Sequence, residues 1–372
     1  MKNKKIFIVS IILCSFVFYG YYVNMKPPEA NQIRLGLLLP LTGASSDSAE
    51  YIKRGVDLAL EKIRQEDADI NIGVFSEDTE RNPVKALSSI KKLFEFDKVK
   101  YIIGPYASSE VLAVAPYIEM NKIITFIPGA QTEEISDASD YCFRIIHNTK
   151  QEAPIFAKYI KDNQKGKNID FVAIDAGILE SYIKYFKPVY EAGGNKIGLV
   201  EKYPPTTSDF KDILTKIKYS ESEAVFLMMP PKHIAMALKQ MRDLNITNKE
   251  IFMLGVEGKD ILDVGDAANG VYYPYSYDGL SQDQSVKSFT DIYTQKYNEY
   301  PETLAVNSFD SVMLLYKCYK DNPNSNTQRI KDCLYGIKNY HGASGVFSID
   351  EKGDAVKRII IKTIKNGKFV TI

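Results

Sequence analysis

The chain has 372 residues, 47 of them basic and 47 acidic, so its formal net charge is zero. Apolar residues make up 45% and charged residues 25%, which is typical of globular proteins and excludes a mostly disordered or coiled-coil chain. Without the first 32 residues, which hold four lysines and one glutamate, the net charge is −3. This excludes the strongly basic surface expected of a nucleic-acid-binding domain. The length predicts two lobes rather than one core.

Residues 1–32 have the pattern of a signal peptide or an N-terminal membrane anchor. Three lysines precede an apolar run of 18 residues, Ile6–Val23. That length is at the lower edge for a membrane-spanning helix and above the ~7–15 residues of most signal-peptide cores. Cleavage, retention as an anchor and lipidation at Cys14 therefore all stay open. The positive flank predicts that the globular part lies outside the cytoplasm.

The four cysteines and three histidines form no CxxC, HExxH or clustered pattern, so we expect no metal site. Cys318 and Cys333 stand on two successive predicted helices with 14 residues between them. Outside the cytoplasm they can form a disulfide, and two buried free thiols are the alternative. Cys142, in the apolar run YCFRII, is predicted to be a core residue.

From Ile33 onward, apolar strand patterns alternate with helical patterns. Strands are predicted at 33–39, 70–75, 101–104, 123–127, 169–175, 196–203, 224–229 and 251–254. Helices are predicted at 48–63, 83–94, 110–120, 154–162, 181–192, 209–217, 232–244, 284–298, 304–320 and 328–336. The tail predicts a hairpin of 346–349 with 356–364. Strands that alternate with helices of 10–15 residues indicate α/β architecture with parallel, doubly wound sheets.

The common signatures of catalysis and of nucleotide binding are absent from the sequence. There is no GxGxxG, no GxxxxGK[ST] and no GxSxG, and the paired carboxylates Glu133 and Glu134 are adjacent, so they point apart on a regular element. For a two-lobed α/β chain, this favours binding over catalysis, and no cofactor is expected.

Small polar residues follow three of the predicted strands, at 40–43, 105–109 and 128–132. In open α/β sheets, ligands bind beyond the carboxyl ends of the strands, so these segments predict one rim of a cleft. Ser108 and Ser109 stand where a helix begins, and free N–H groups at such a position hold anions such as a carboxylate. The alternative is that either serine only caps the helix.

Several segments resemble the type I periplasmic binding proteins, in particular the leucine/isoleucine/valine-binding branch of the ABC transporter substrate-binding proteins. They are LGLLLPLTG, YIKRGVDLALEKI, YIIGPYASSEVLAVAPYIEMNKIITFIPGAQTEEI, FMLGVEG and AVNSFDSVMLL. The resemblance implies two Rossmann-like lobes with parallel sheets, joined by three hinge crossovers. Lobe 1 would comprise 33–147 and 279–343, and lobe 2 would comprise 148–278 and 344–372.

The resemblance also implies a site for a zwitterionic ligand. A serine at the position of Ser108 holds the α-carboxylate with neighbouring backbone, and the segment after the next strand adds further contacts. An acidic residue in GVEG pairs with the α-ammonium from the other lobe. The candidate ligand-binding residues are Ser108, Ser109, Gly129, Ala130, Gln131 and Glu257.

Three loops depart from the pattern of the family, because aromatic residues are missing at 44–48, 175–180 and 228–231. These departures predict either a ligand with a different side chain or the loss of amino-acid binding. The first hypothesis is an extracytoplasmic solute-binding protein that delivers a small polar ligand, an amino acid, to an ABC permease. A membrane-tethered sensing module of the same fold and an enzyme of an unrecognised type are the alternatives.

Overall fold

The computed structural model describes residues 32–372 except 44, 164–167, 175–176 and 324–325. The expected signal peptide or anchor and the possible lipidation at Cys14 lie outside the described residues, and Gln32 already begins the first strand. Within the described ranges, no helix combines the length and the apolar character needed to cross a bilayer.

The described strands and helices follow the predicted alternation. The strands are β1 (Gln32–Leu39), β2 (Asn71–Asp78), β3 (Tyr101–Ile103), β4 (Ile124–Ile127), β5 (Cys142–Arg144), β6 (Asn168–Ile174), β7 (Lys196–Tyr203), β8 (Ala224–Met228), β9 (Glu250–Met253), β10 (Tyr272–Tyr275), β11 (Tyr340–Gly342), β12 (Gly345–Ile349), β13 (Ala355–Lys357), β14 (Ile360–Lys365) and β15 (Lys368–Thr371). The helices are α1 (Ser46–Glu66), α2 (Pro83–Glu95), α3 (Ser108–Asn121), α4 (Thr149–Asn163), α5 (Ile178–Glu191), α6 (Lys211–Tyr219), α7 (Pro231–Asp243), α8 (Lys259–Leu262), α9 (Gln284–Tyr297), α10 (Thr303–Asp321) and α11 (Thr327–Tyr335). Short 3₁₀ helices lie at Glu133–Asp137 and Gly265–Ala268.

The first sheet has five parallel strands in the order β2-β1-β3-β4-β5. Strands β3 and β4 are buried at every position, as expected for a parallel sheet covered on both faces by helices. This explains why their sequences are continuous apolar runs rather than alternating ones. The prediction of a parallel α/β unit is confirmed for this half.

The second sheet has seven strands in the order β15-β14-β10-β9-β8-β6-β7. Strands β6 to β10 are mutually parallel, whereas β14 runs antiparallel to β10, and β15 antiparallel to β14. The second α/β series is therefore confirmed with an antiparallel extension. Strand β10 was not predicted, because its four residues, YYPY, are too few to show a period.

The predicted hairpin near the C-terminus is confirmed in its first strand and its turn. Strand β12 pairs antiparallel with β13, and Ile349 lies opposite Ala355. The second strand is shorter than predicted, because the apolar run is divided between two cores. Ile349 and Ala355 are buried in the core of the first sheet, whereas Ile360 and Ile364 are buried in that of the second.

The chain crosses between the two lobes three times, after β5, after β10 and after β13, and β11, β12 and β13 form a separate three-stranded sheet beside the first core. Two α/β lobes with parallel sheets confirm the predicted fold class. The lobe boundaries, 33–147 with 279–343 and 148–278 with 344–372, stay a prediction. Because β12 and β13 pack in the first core, we propose that lobe 2 resumes at about Ile360.

Helices α1 and α10 pack closely against each other and against the second lobe. A Cβ atom on Gly55 would lie 2.0 Å from the carbonyl oxygen of Ala305, so this contact requires glycine. Leu58, Ala305 and Val306 are buried in one apolar cluster with side chains of the second sheet. The start of α10 is thereby fixed where the two lobes meet.

Helices α10 and α11 are joined by a disulfide between Cys318 and Cys333. The predicted pairing is confirmed, and the alternative of two free thiols is wrong. Cys142 is a buried free cysteine in the first core, as predicted.

Candidate functional site

A cavity lies between the two sheets, at the carboxyl ends of their strands. Its first wall follows β2, β3 and β4 and includes the start of α10, and its second wall follows β6, β8 and β9. The centre of a water molecule can reach about 70 Å³ of it, several times the ~10–15 Å³ that one water needs. The cavity therefore has room for a small ligand held between the lobes.

Four of the six candidate ligand-binding residues line this cavity: Ser108, Gly129, Ala130 and Gln131. Ser109 and Glu257 are not among the lining residues. Of the three predicted rim segments, 105–109 and 128–132 contribute to the lining and 40–43 does not. The segment 40–43 contacts the end of β2 instead, where Asp78 accepts hydrogen bonds from the Leu41 N–H and the Thr42 hydroxyl.

The start of α3 presents Ser108 to the cavity. Ala107 precedes the helix in extended conformation, and the Glu110 carboxylate accepts a hydrogen bond from its N–H at 2.9 Å. Ser108 is the first helical residue, so its hydroxyl is not the cap; it accepts a long hydrogen bond from the Thr132 N–H at 3.4 Å. The cap interpretation is wrong for both serines, and the Ser108 hydroxyl can still donate to an anion beside the free N–H groups of the helix.

Gln131 links the cavity to the first crossover between the lobes. Its amide nitrogen lies 2.7 Å from His147 Nε2 and 3.4 Å from Glu152 Oε2, and all three side chains are buried. His147 also contacts the Glu152 carboxylate directly. The side-chain amide of Gln131 is therefore held by residues of the crossover. The residue contributes to the cavity mainly through its backbone.

Glu257 lies in the loop after β9, and its carboxylate already has a cation. Its Oε1 is 2.6 Å from Lys362 Nζ, and the Tyr273 hydroxyl donates to the same oxygen at 2.5 Å. The side chain is 3% exposed and borders a neighbouring cavity with Tyr51 and Tyr300. Burial raises the pKa of Glu257, and Lys362 opposes that shift. The position expected to face a ligand ammonium is thus occupied by a lysine of the chain.

Arg81 adds a positive charge to the first wall. It follows β2 with a φ of 57°, its Nη1 donates to Ser45 Oγ at 2.7 Å, and its guanidinium lies 5.5 Å from the centre of the Tyr106 ring. No carboxylate of the described residues forms an ion pair with it. Arg81 and Tyr106 both line the cavity, so the guanidinium can receive a ligand carboxylate near Ser108.

Glu302 and Thr303 line the cavity at the start of α10. Glu302 caps the helix, since its Oε2 accepts a hydrogen bond from the Leu304 N–H at 2.6 Å, and it is 4% exposed. Burial raises the pKa of Glu302 to about 8, although backbone N–H groups, chiefly that of Leu304, oppose the shift. The Thr303 hydroxyl is buried and has no hydrogen-bond partner in the part of the chain that the structure describes.

The second wall of the cavity is aliphatic. The residues it contributes are Ile174, Ile178, Met228, Met229, Pro230, Leu254, Gly255 and Val256. Among the described residues that line the cavity, the one aromatic side chain is that of Tyr106, on the first wall. The segment 228–231, which lacks an aromatic residue in the sequence, therefore contributes only non-aromatic side chains to this wall. Such a wall suits an apolar group of modest size.

Sequence reasoning missed Arg81, Glu302 and Thr303. Arg81 follows β2 within EDTERNP, and examining the end of every strand in the first sheet would have found it. Glu302 precedes α10 and has the pattern of an ordinary acidic helix cap, so no local signal separates it from a surface residue. Its burial follows from the contact between α10 and the second lobe.

Comparison with known proteins agrees with this arrangement. A family model described as periplasmic binding protein matches residues 32–368. The Leu/Ile/Val-binding protein BraC3 of Rhizobium johnstonii is 23% identical over 327 residues, covering 87% of this chain and 88% of that protein.

Solved structures share the fold. The leucine-binding protein LivK of Thermotoga maritima superposes with a TM-score of 0.84 at 21% identity, covering 91% of this chain and 97% of the other. LivJ of Streptococcus pneumoniae, in complex with isoleucine, gives 0.83 at 22% identity, with 92% and 99% covered. A solute-binding protein of Rhodopseudomonas palustris, in complex with 3,4-dihydroxybenzoic acid, gives 0.83 at 24%, with 92% and 96% covered.

The family model covers most of the chain, and the two lobes, their parallel sheets and the cavity between them are the features expected of that family. Its members are solute-binding proteins rather than enzymes, and they act outside the cytoplasm. The chain belongs to the type I periplasmic binding proteins of the leucine/isoleucine/valine-binding type.

Proposed function

We propose that the protein is the substrate-binding component of an ABC transporter and that its cleft binds an α-amino acid with an aliphatic side chain. The observation that carries this proposal is the division of the cavity into two chemically different walls. The first wall is polar and charged, and the second is aliphatic. A zwitterionic head group with an apolar side chain matches that division.

The polar wall supports recognition of a carboxylate. The Ser108 hydroxyl, the N-terminus of α3 and the Arg81 guanidinium all border the cavity. Charge-assisted hydrogen bonds of this kind are shorter and stronger than neutral ones, and closure of the lobes removes the competing water. Ser108, Gly129, Ala130 and Gln131 are therefore proposed to contact the carboxylate end of the ligand.

The relatives point to two ligand classes, amino acids and aromatic acids. One solved relative is a leucine-binding protein and another is in complex with isoleucine, whereas others are in complex with 3,4-dihydroxybenzoic acid, 4-hydroxybenzoate or benzoate. The aliphatic second wall favours an aliphatic side chain here. The buried carboxyl group of Glu302 favours a ligand that also carries a cation, because a cation beside it would stabilise its ionised form.

Delivery to an ABC permease from outside the cytoplasm is part of the proposal. The disulfide between Cys318 and Cys333 supports an oxidising compartment. Residues 1–32 would act as a cleaved export signal or as a membrane anchor. Uptake of the labelled ligand by cells that lack the gene, and by cells in which it is restored, tests the role in transport.

Thermal unfolding of the full chain with a panel of ligands tests the ligand class. The panel comprises leucine, isoleucine, valine, polar amino acids, benzoate, 4-hydroxybenzoate and short aliphatic acids. A ligand at 100 times its dissociation constant that binds only the folded state adds about 2.7 kcal/mol to the free energy of unfolding. We expect the unfolding temperature to rise with the aliphatic amino acids. A rise with the benzoates alone would replace the amino acid by an aromatic acid.

A further inference from the structure

We propose that Glu302 and Thr303, at the start of α10, form the binding site for the ligand's ammonium group. This inference rests on the proposed function and deepens it, because it assigns the second half of the zwitterion site to residues that neither the sequence nor the family resemblance indicated. Glu257 then has a structural role only.

Glu302 is a buried carboxylate at the cavity without a cation of its own. It is 4% exposed, and no lysine, arginine or histidine of the described residues forms an ion pair with it. Its carboxylate accepts hydrogen bonds from backbone N–H groups, chiefly that of Leu304, which donates to Oε2 at 2.6 Å. A carboxylate has about four acceptor positions, so these backbone hydrogen bonds still leave room for a further donor.

Thr303 provides a second and independent observation. Its side chain is 3% exposed and lines the cavity, yet its Oγ1 has no hydrogen-bond partner among the described residues. Its backbone N–H donates to the Tyr275 hydroxyl at 2.8 Å, which fixes the residue in place. Buried hydroxyl groups nearly always find a partner, so this one is poised for a donor that enters the cavity.

The groups that surround Glu302 increase its preference for a cation. Those that interact with it electrostatically are Glu257 and the phenols of Tyr51, Tyr275 and Tyr293. Glu257 is itself paired with Lys362. Burial raises the pKa of Glu302 to about 8, which means that no positive charge stabilises its ionised form in the empty cavity. The ammonium group of a ligand would provide that positive charge.

The alternative acceptor, Glu257, is excluded by its own contacts. Lys362 Nζ and the Tyr273 hydroxyl both bind its Oε1, and the residue borders the neighbouring cavity rather than the cleft. A ligand ammonium would have to displace a buried lysine to reach it. Glu302 borders both cavities and needs no such displacement.

Titration calorimetry on the full chain in detergent separates ammonium recognition from carboxylate recognition. The two probes are leucine and 4-methylpentanoate, which has the same carbon skeleton and carboxylate but no amino group. Glu302→Gln keeps the size of the side chain and removes its charge, and Thr303→Val removes the hydroxyl. Glu351→Gln, at an exposed carboxylate, is the matched control.

For Glu302→Gln we expect leucine to bind roughly tenfold more weakly and 4-methylpentanoate to change by less than about twofold. Thr303→Val should weaken leucine by a smaller factor, and Glu351→Gln should change neither affinity. Equal affinity of wild type and Glu302→Gln for leucine would overturn the inference while leaving the proposed function intact. Wild-type protein that binds no amino acid of the panel would overturn both.

Discussion

Lys362 Nζ lies 2.6 Å from Glu257 Oε1, and both side chains are almost completely buried. The two residues are far apart in the chain, on β14 and in the loop after β9, and their pairing ties the antiparallel edge of the second sheet to the loop beside the cleft. The charge of Glu257 is therefore balanced by a lysine of the same chain. This pair explains why Glu257, the acidic residue of a motif that resembles the ammonium site of the family, is not among the residues that line the cavity.

Removal of Lys362 should destabilise the fold, because it leaves Glu257 buried without a cation. For Lys362→Met we expect the free energy of unfolding to fall by about 3–5 kcal/mol, as for other buried ion pairs that lose one partner. The double variant Lys362→Met with Glu257→Gln should recover part of that loss. Urea unfolding followed by circular dichroism measures both.

Lys365→Met is the control for that experiment, since Lys365 is an exposed residue of the same strand. Its free energy of unfolding should stay within about 0.5 kcal/mol of the wild type. If Lys362→Met were as mild as Lys365→Met, the ion pair would have no structural importance, and Glu257 would again be a candidate for the ammonium.

Ser108 and Ser109 form a matched pair that tests the carboxylate end of the site. Ser108 lines the cavity and Ser109 does not. Ser108→Ala should weaken leucine by about fivefold, which corresponds to the loss of one hydrogen bond of roughly 1 kcal/mol, whereas Ser109→Ala should change it by less than about twofold. Calorimetry on both variants decides the assignment. An equal effect of the two substitutions would mean that α3 contributes through its backbone alone.

Arg81 should contribute to the preference for a free carboxylate. For Arg81→Gln we expect leucine to bind roughly tenfold more weakly, while leucinamide, which carries no carboxylate, changes little. The ratio of the two affinities is the quantity to measure. Lys85→Gln, at an exposed cation of the following helix, provides the control. A constant ratio in Arg81→Gln would show that the guanidinium does not face the ligand.

Glu302 should make the stability of the ligand-free protein depend on pH. Burial raises the pKa of Glu302 from its usual 4.5 to about 8, so the folded chain holds one proton more than the unfolded chain between these values. The free energy of unfolding should therefore decrease as the pH rises from about 4.5 to 8, by up to ~5 kcal/mol from this group. Glu302→Gln should remove that contribution.

The difference between wild type and Glu302→Gln is the informative quantity, because Glu257, Tyr51, Tyr275 and Tyr293 surround the same carboxyl and other groups titrate as well. Urea unfolding at several values of pH gives both curves. Parallel curves across this range would mean that Glu302 is already ionised in the empty cavity. With leucine bound, the wild type should lose most of its dependence on pH in this range.

Most of the fold could be predicted from the sequence, because the signals for its strands and helices are local. The apolar run of β4, the proline that opens α2 and the turn at 350–354 each identify an element without reference to the rest of the chain. The strand β10 and the division of the final apolar run between two cores could not be predicted, since β10 is too short to show a period and the division depends on how the two lobes pack.

The candidate site was predictable to a smaller extent. Small polar residues after β3 and β4 located one wall, because the ends of parallel strands meet at one edge of a sheet. The partner of Glu257 lies more than one hundred residues away in sequence, and nothing near Lys362 marks it as buried. The burial of Glu302 likewise depends on the packing of α10 against the other lobe.

The disulfide between Cys318 and Cys333 should stabilise the first lobe without affecting the cleft. It closes a loop with a sequence separation of 15 residues, for which the loss of unfolded-state entropy is worth about 3 kcal/mol. Reduction, or the double substitution of both cysteines by alanine, should lower the unfolding temperature by several degrees. Affinity for leucine should stay unchanged, because neither cysteine lines the cavity. An unfolding temperature that is insensitive to reductant would show that the packing of α11 by Ile330 and Leu334 suffices.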